Sequence, residues 1–245
     1  MNKIFIISIG SKARQGKDTT ANFIKELRST HEVHILHWAD SLYDEVRNLD
    51  RQWPLIKKII IGNSVYYTLL HTPYSRNYML YKAEEIPGIH TLMKERKIDE
   101  YWGMDDKDAP ILQLWGTEFR RQKFDELYWV NKTYNKVLQI INDFNTKNTN
   151  SNLYICIPDT RFKNEYNNIK YQRLTSTKWK GIFIRVVRLN DDGTQYIDPS
   201  RDPNHPSEAE LDDTLADFTL EAKSGDLETL KQKTTEFLNE IDTNC

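Results

Sequence analysis

The sequence predicts an α/β fold built on a mainly parallel sheet. Three observations carry that prediction. Short apolar, β-branched runs recur along the chain, segments with apolar residues at helical spacing alternate with them, and neither an internal repeat nor a linker divides the chain into independent domains. At 245 residues the chain is long enough for one sizeable domain carrying an insertion.

The elements follow in order. Lys3–Ile9 (KIFIISI) is an apolar, β-branched run bounded by glycine, as expected of a strand buried on both faces. Ala21, Phe23, Ile24 and Leu27 mark Thr19–Ser29 as a helix. Glu32–Trp38 reads as a second strand and Ser41–Leu49 as a helix with Leu42, Val46 and Leu49 on one face. Residues 51–108 differ in texture: they are rich in Tyr and Lys and are interrupted by Pro54, Pro73 and Pro87, which gives the expectation of short helices forming an insertion. Pro110 suits the first turn of a helix running to about Phe124, and a further helix spans Asp125–Phe144. Leu153–Ile157 is a buried strand ending at Pro158-Asp159, followed by a helix from Lys163 to Tyr171 and a strand at Gly181–Leu189. Asn190–Pro206 is a long polar loop, Asp217–Leu220 a short strand, and Leu227–Ile241 the last helix.

Composition excludes several classes. Thirty-four Lys and Arg against 36 Asp and Glu give a net charge of −2, which argues against a domain with a broadly basic face for double-stranded nucleic acid but leaves room for small basic sites. The mean hydropathy is −0.71 and no apolar run reaches the length of a membrane helix, so no membrane partner is expected. The first apolar run is too short for a signal-peptide core and has no small-residue cleavage site after it. Two cysteines, Cys156 in an apolar run and Cys245 at the end, make neither a disulfide framework nor a metal cluster, as expected of a reducing, cytoplasmic setting. Glycine is scarce, nine in all, so each one deserves a reason.

Two of the nine flank one loop. The first strand runs directly into Gly10-Ser11-Lys12-Ala13-Arg14-Gln15-Gly16-Lys17-Asp18-Thr19, and a helix follows. Strand, tight loop, Gly-Lys, helix is the setting of a phosphate-binding loop: backbone N–H groups and the helix dipole face an anion, Gly16 permits close backbone approach, and Lys17 adds a point charge. Ser11 stands where the strict pattern has its first glycine, and Asp18 where it has a Ser or Thr. Lys12, Arg14 and Lys17 lie within six residues, and such crowding is expected to require an anion. The plain alternative is a strand-to-helix turn that happens to hold Gly-Lys.

Several stretches together resemble the phage-type deoxynucleoside monophosphate kinases, a P-loop kinase family. They are KARQGKDTT in the loop, Ala39-Asp40-Ser41-Leu42 after the second strand, Leu112–Arg121 (LQLWGTEFRR), Tyr154–Glu165 (YICIPDTRFKNE) and His205–Leu211 (HPSEAEL). In that family an Asp follows the Gly-Lys, as Asp18 does; Ser11 and Gln15 are departures. The resemblance spans most of the chain outside 51–108. It implies a three-layer sandwich with a central, mainly parallel sheet in a single domain of residues 1–245, with 51–108 as a helical acceptor-binding insertion and 190–206 as a lid. It also implies the cofactors ATP and Mg²⁺, transfer of the γ-phosphoryl group to a deoxynucleoside monophosphate and, if the source is a phage, the host cytoplasm. Nucleotides are then the expected partners, with a homodimer left open.

Under that reading Ser11 to Thr19 bind ATP, and Lys17, Arg14, Asp40, Asp159 and Arg161 form the catalytic group, with Asp18 and Asp159 serving Mg²⁺. Asp159 has a second reading as an N-cap of a helix starting at Thr160, and Arg161 as an i,i+4 partner of Glu165. Gln113, Thr117, Arg120 and Arg121 recur at about i, i+4 and i+7 or i+8, so one helix face meets either the acceptor or solvent. Trp115 reads as core rather than as a stacking platform. Arg188 and Arg201 are the lid cations; the loop is otherwise an ordinary exposed one, and His205 within it has a structural reading too. Thr160 after Asp159 leaves no acid beside it to activate water, which favours an organic acceptor over hydrolysis. The competing functions are a kinase for another acceptor (a modified base in DNA or a small phosphorylated metabolite), a non-catalytic ATP-binding protein, and a relative that has lost nucleotide.

Overall fold

A computed structural model describes residues 2–47, 52–72, 75–147, 150–171, 179–200, 203–204 and 206–244. The chain divides into two compact units, Met1–Trp38 with Val130–Cys245, and Ala39–Trp129.

The first unit is an α/β layer structure. Strands β1 (Ile4–Gly10), β2 (Glu32–Ile35), β7 (Leu153–Thr160), β8 (Lys180–Leu189) and β9 (Phe218–Lys223) form one sheet in the order β2-β7-β1-β8-β9. Every pairing in it is parallel. The numbers β3 to β6 belong to the second unit. Strand β1 is buried along its whole length, as its apolar, isoleucine-rich run predicts. Alternate residues serve opposite faces. Phe5, Ile7, Ile9, Ile182, Ile184 and Val186 join Ala21 and Ile24 of α1 (Lys17–Leu27) and Leu230, Phe237 and Leu238 of α8 (Leu227–Asn244) in one core. On the other face Phe183 packs with Tyr166 of α6 (Lys163–Lys170) and with Leu211. Each fully buried Ile or Leu contributes roughly 1.5–3 kcal/mol. The long helix α5 (Tyr128–Thr146) buries Val137, Ile141 and Phe144.

The second unit overturns one expectation. Residues 51–108 are not a set of short helices. They hold an antiparallel sheet, order β5-β4-β3-β6, made from β3 (Ile56–Ile61), β4 (Ser64–Thr72), β5 (Ser75–Lys82) and β6 (Glu100–Tyr101). The signal was present: two β-branched and aromatic runs, IKKIII and SVYYT, are separated by Gly62-Asn63. Gly62 takes φ +61° in that two-residue turn, the positive angle a tight hairpin needs. Proline and Tyr/Lys content pointed to breakers and helices, whereas Pro54 only precedes the sheet and Pro87 opens α3 (Pro87–Glu95); Pro73 lies outside the described residues. Tyr67, Leu69 and Tyr81 from the sheet pack with Ile89 and Met93 of α3 and with Trp115 and Phe119. The unit also contains α2 (Asp40–Arg47) and α4 (Ala109–Gln113), which has Pro110 in its first turn and continues as a π-helical stretch, Leu114–Arg121. Leu49, expected on the face of α2, lies outside the described residues.

Candidate functional site

The loop between β1 and α1 is built on two left-handed residues. Arg14 has φ +57° and Gly16 φ +100°, and a non-glycine residue at positive φ is uncommon enough to require support from its neighbours. Gly16 sits at the N-cap position of α1, where no side chain caps the helix. The first-turn N–H groups of this eleven-residue helix therefore have no side-chain cap, and the positive end of its dipole lies at the loop.

Lys17 is buried. Its amine donates to the carbonyl oxygens of Ser11, at 2.8 Å, and Lys12. Burial first, and then the nearby Arg161, pull its pKa from 10.5 down to about 8, while Glu208, Asp18 and Asp159 push the other way. Both aspartates therefore lie within electrostatic range of the amine. Asp18 is exposed in the first turn of α1, with His37 Nε2 3.2 Å away. Asp159 stands near the end of β7, the strand beside β1, and Oδ1 accepts the Trp38 N–H at 2.9 Å. The Trp38 indole donates to Thr160 Oγ1 at 2.9 Å, and that hydroxyl also pairs with Ser8 at 2.7 Å.

Two alternative readings fall here. Asp159 is not a helix cap, because α6 begins at Lys163 and it is Glu165 that accepts the Arg161 and Phe162 N–H groups. Nor does the Arg161 guanidinium pair with Glu165: Nη1 donates to Glu208 Oε1 at 2.7 Å and to the Ser207 carbonyl at 3.4 Å.

Two of the three loop cations, Lys12 and Arg14, have carboxylate partners from the later part of the chain, whereas Lys17 is held on backbone carbonyls. Lys12 pairs with Asp212 at 2.7 Å and Arg14 with Asp198 at 3.1 Å, and Arg161 has Glu208. The partners of Lys12 and Arg14 lie 200 and 184 residues downstream and that of Arg161 47 residues downstream, separations no local spacing reveals. Gln15, a departure from the family pattern, has a structural task. Its buried amide accepts the Arg188 N–H at 2.7 Å and donates to the Tyr196 carbonyl at 2.6 Å, fixing the loop to β8 and to the segment after it.

That segment, the expected lid, doubles back: Leu189 bridges Gln195, and Tyr196 N–H returns to the Arg188 carbonyl. The Arg188 guanidinium lies 4.2 Å over the Tyr196 ring, with Nε 2.9 Å from Ser224 Oγ. Arg201 and His205 lie outside the described residues. Ser11, Lys12, Arg161, Arg185 and Glu208 line a cleft beside the loop.

The remaining expected residues belong to the second unit. Asp40 is the first residue of α2 and is half-buried. Gln113 and Thr117 are exposed and border a cleft with Glu85, Glu118 and Lys123. Arg121 is half-buried at the end of the π stretch. Arg120 is a correction, since it is fully buried and cannot meet an acceptor. Its Nε lies 2.8 Å from Glu45 Oε2, Nη2 donates to the Leu70 and His71 carbonyls, and the rings of Trp115, Phe119, Phe124 and Tyr128 surround the guanidinium at 4.5 to 5.3 Å. A π turn brings residues four or five apart onto one face, so Gln113, Thr117 and Arg121 follow one another outward while Arg120 turns in. Trp115 is core, as expected, with its indole donating to Glu45 at 3.1 Å.

Sequence reasoning missed Trp38, Asp198, Asp212 and the role of Glu208. Only Glu208 carried a signal, within the quoted HPSEAEL. Scanned against protein-family models and compared with curated proteins, the chain matches none of them.

Proposed function

We propose that this chain is a P-loop phosphotransferase that moves the γ-phosphoryl group of ATP to a deoxynucleoside monophosphate. The observation that carries the reading is the loop between β1 and α1. A helix with no side-chain cap opens behind a left-handed glycine, and a buried lysine amine is held on the loop's own carbonyls. Such a helix end suits an anion, because its N–H groups lack intrahelical partners and its dipole favours negative charge.

The donor set was tested against Mg²⁺. Among the described residues no group of three or more His, Cys, Asp or Glu is arranged to hold a metal. Mg²⁺ on a nucleotide asks for less, commonly one or two carboxylates with phosphate oxygens and water. Asp18, in the first turn of α1, and Asp159, near the end of β7, are the carboxylates that would hold it. When bound, the ion supplies charge neutralisation along the phosphates.

The chain's own residues then have plain tasks. The amides from Gly16 onward and Lys17 hold the β- and γ-phosphates. Arg161 offsets the charge that spreads over the moving phosphoryl group, as the acceptor's phosphate oxygen bonds to phosphorus and the bond to the β-phosphate oxygen breaks. Gln113, Thr117 and Arg121 are the acceptor-side candidates, with Asp40 to orient the acceptor, and Arg120 holds their helix in place.

A second reading has an observation of its own. Because Lys12, Arg14 and Arg161 already have carboxylate partners, these three cations are neutralised without an anion, which suits a protein that binds nucleotide without catalysis. An ATP-consumption assay over a panel of deoxynucleoside and nucleoside monophosphates separates the two. We expect turnover with at least one deoxynucleoside monophosphate, and a loss on the order of a hundredfold or more in Lys17→Ala and Asp159→Ala. ATP binding with no turnover of any monophosphate would support the second reading.

A further inference from the structure

The segment Pro206–Ala209 with Leu211 and Asp212 is bound to the phosphate loop more tightly than a passing surface contact requires. Glu208 is buried, with its side chain only 4% exposed, and both of its oxygens are engaged. Oε2 accepts the Ala13 N–H at 2.7 Å, and Oε1 accepts Arg161 Nη1 at 2.7 Å. Its backbone carbonyl accepts Lys12 Nζ at 2.9 Å, and the same amine reaches Asp212 at 2.7 Å. Leu211 packs with Phe183 and Tyr166, and one of its methyl groups lies 3.3 Å from where a Cβ on Gly10 would be. A carboxylate buried this deeply costs several kcal/mol unless it is paired and hydrogen-bonded, and here it is both.

We infer that Glu208 is a positioning residue of the nucleotide site: one carboxylate oxygen fixes the first half of the loop through Ala13, and the other aims the Arg161 guanidinium at the transferring phosphate. The inference rests on the phosphoryl-transfer reading and assigns a role to a segment that reading leaves unused. The alternative is that the carboxylate occupies the place of a phosphate and must leave for nucleotide to bind. Position in the loop favours positioning. Ala13 lies four residues before Lys17, and the helix end from Gly16 onward, where the anion is proposed to sit, carries no side-chain cap. Glu208 therefore grips the loop through the Ala13 N–H rather than by capping the first turn of the helix.

The test is calorimetric titration of the full chain with MgATP, comparing wild type, Glu208→Gln, Arg161→Lys and the double variant. Gln keeps an acceptor for one partner but removes the charge opposite Arg161. We expect affinity to fall on the order of tenfold in Glu208→Gln. The double variant should bind no more weakly than Arg161→Lys alone, because the effect passes through Arg161. With an active monophosphate, kcat should fall while KM for that monophosphate stays near the wild-type value, a split that general loosening of the fold would not give. Unchanged or tighter MgATP binding in Glu208→Gln overturns the inference, as do losses that simply add in the double variant. If Glu208→Gln does not fold, Arg161→Lys alone decides, since that side chain is partly exposed: a comparable loss supports the pairing and wild-type affinity overturns it. Wild-type protein that gives no heat with MgATP overturns the phosphoryl-transfer reading itself, and this inference with it.

Discussion

Lys17 shows how far one residue's chemistry is set by its surroundings. Its amine is held on two carbonyls, beside one guanidinium and three carboxylates, and burial outweighs the carboxylates to bring its pKa to about 8. The folded value lies below the unfolded 10.5, so between these two values the unfolded chain binds more protons and stability rises with pH. Below pH 8 both states are protonated and the full cost of burying the charge is present. A Lys17→Met variant should therefore exceed wild type in Tm by the most below pH 8, and the gap should narrow as pH rises toward 10.5; a gap that does not change with pH would contradict the burial. Under the proposed function a bound phosphate would raise the same pKa, so MgATP affinity should begin to fall near pH 8, the value of the free protein, and level off above the raised value of the bound state.

At the scale of elements, the helix that runs from Ala109 into a π stretch is held by one buried network. Glu45 of α2 accepts from the Trp115 indole, the Arg120 guanidinium and the Tyr128 hydroxyl, while Arg120 donates to the carbonyls of Leu70 and His71. Such a pair is costly to break from one side, because the partner left behind is a buried, unpaired charge. Arg120→Met should lower stability by about 3–5 kcal/mol in urea denaturation. Adding Glu45→Leu should recover part of that loss, since the stranded carboxylate goes with it. Additive losses would mean that the two side chains do not act as a unit. The network also explains why helical spacing misled at Arg120: the i+7 position faces outward with Gln113 only if the turn stays α-helical.

For the molecule as a whole, the measurable consequence of the proposed site is linkage. A ligand that binds the folded chain alone stabilises it by ~2.7 kcal/mol at a hundred times its Kd. MgATP should therefore raise the Tm of wild type and leave that of Lys17→Ala unmoved, as differential scanning calorimetry would record. Equal shifts in the two proteins would place the nucleotide elsewhere. The chain's near-zero net charge is consistent with this, because the cations of the loop and the acidic residues that answer them cancel in the sum.

The sequence by itself determined the parallel sheet of the first unit and the loop at its centre. Both are local signals: a β-branched apolar run of strand length such as Ile4–Ile9, closed by Gly10, reads as a strand with both faces covered, and Gly16-Lys17 in the loop after it marks where the helix begins. It also contained the hairpin at Gly62-Asn63, although proline and composition drew the reading elsewhere. Only the tertiary structure decided which charges meet. Whether Arg120 faces solvent depends on a widened turn and on a carboxylate 75 residues away, and whether Arg14 and Lys12 await an anion depends on Asp198 and Asp212. The physical reason is reach: periodicity and turn chemistry act over a few residues, whereas a buried ion pair is set by whichever strand and loop the topology brings alongside.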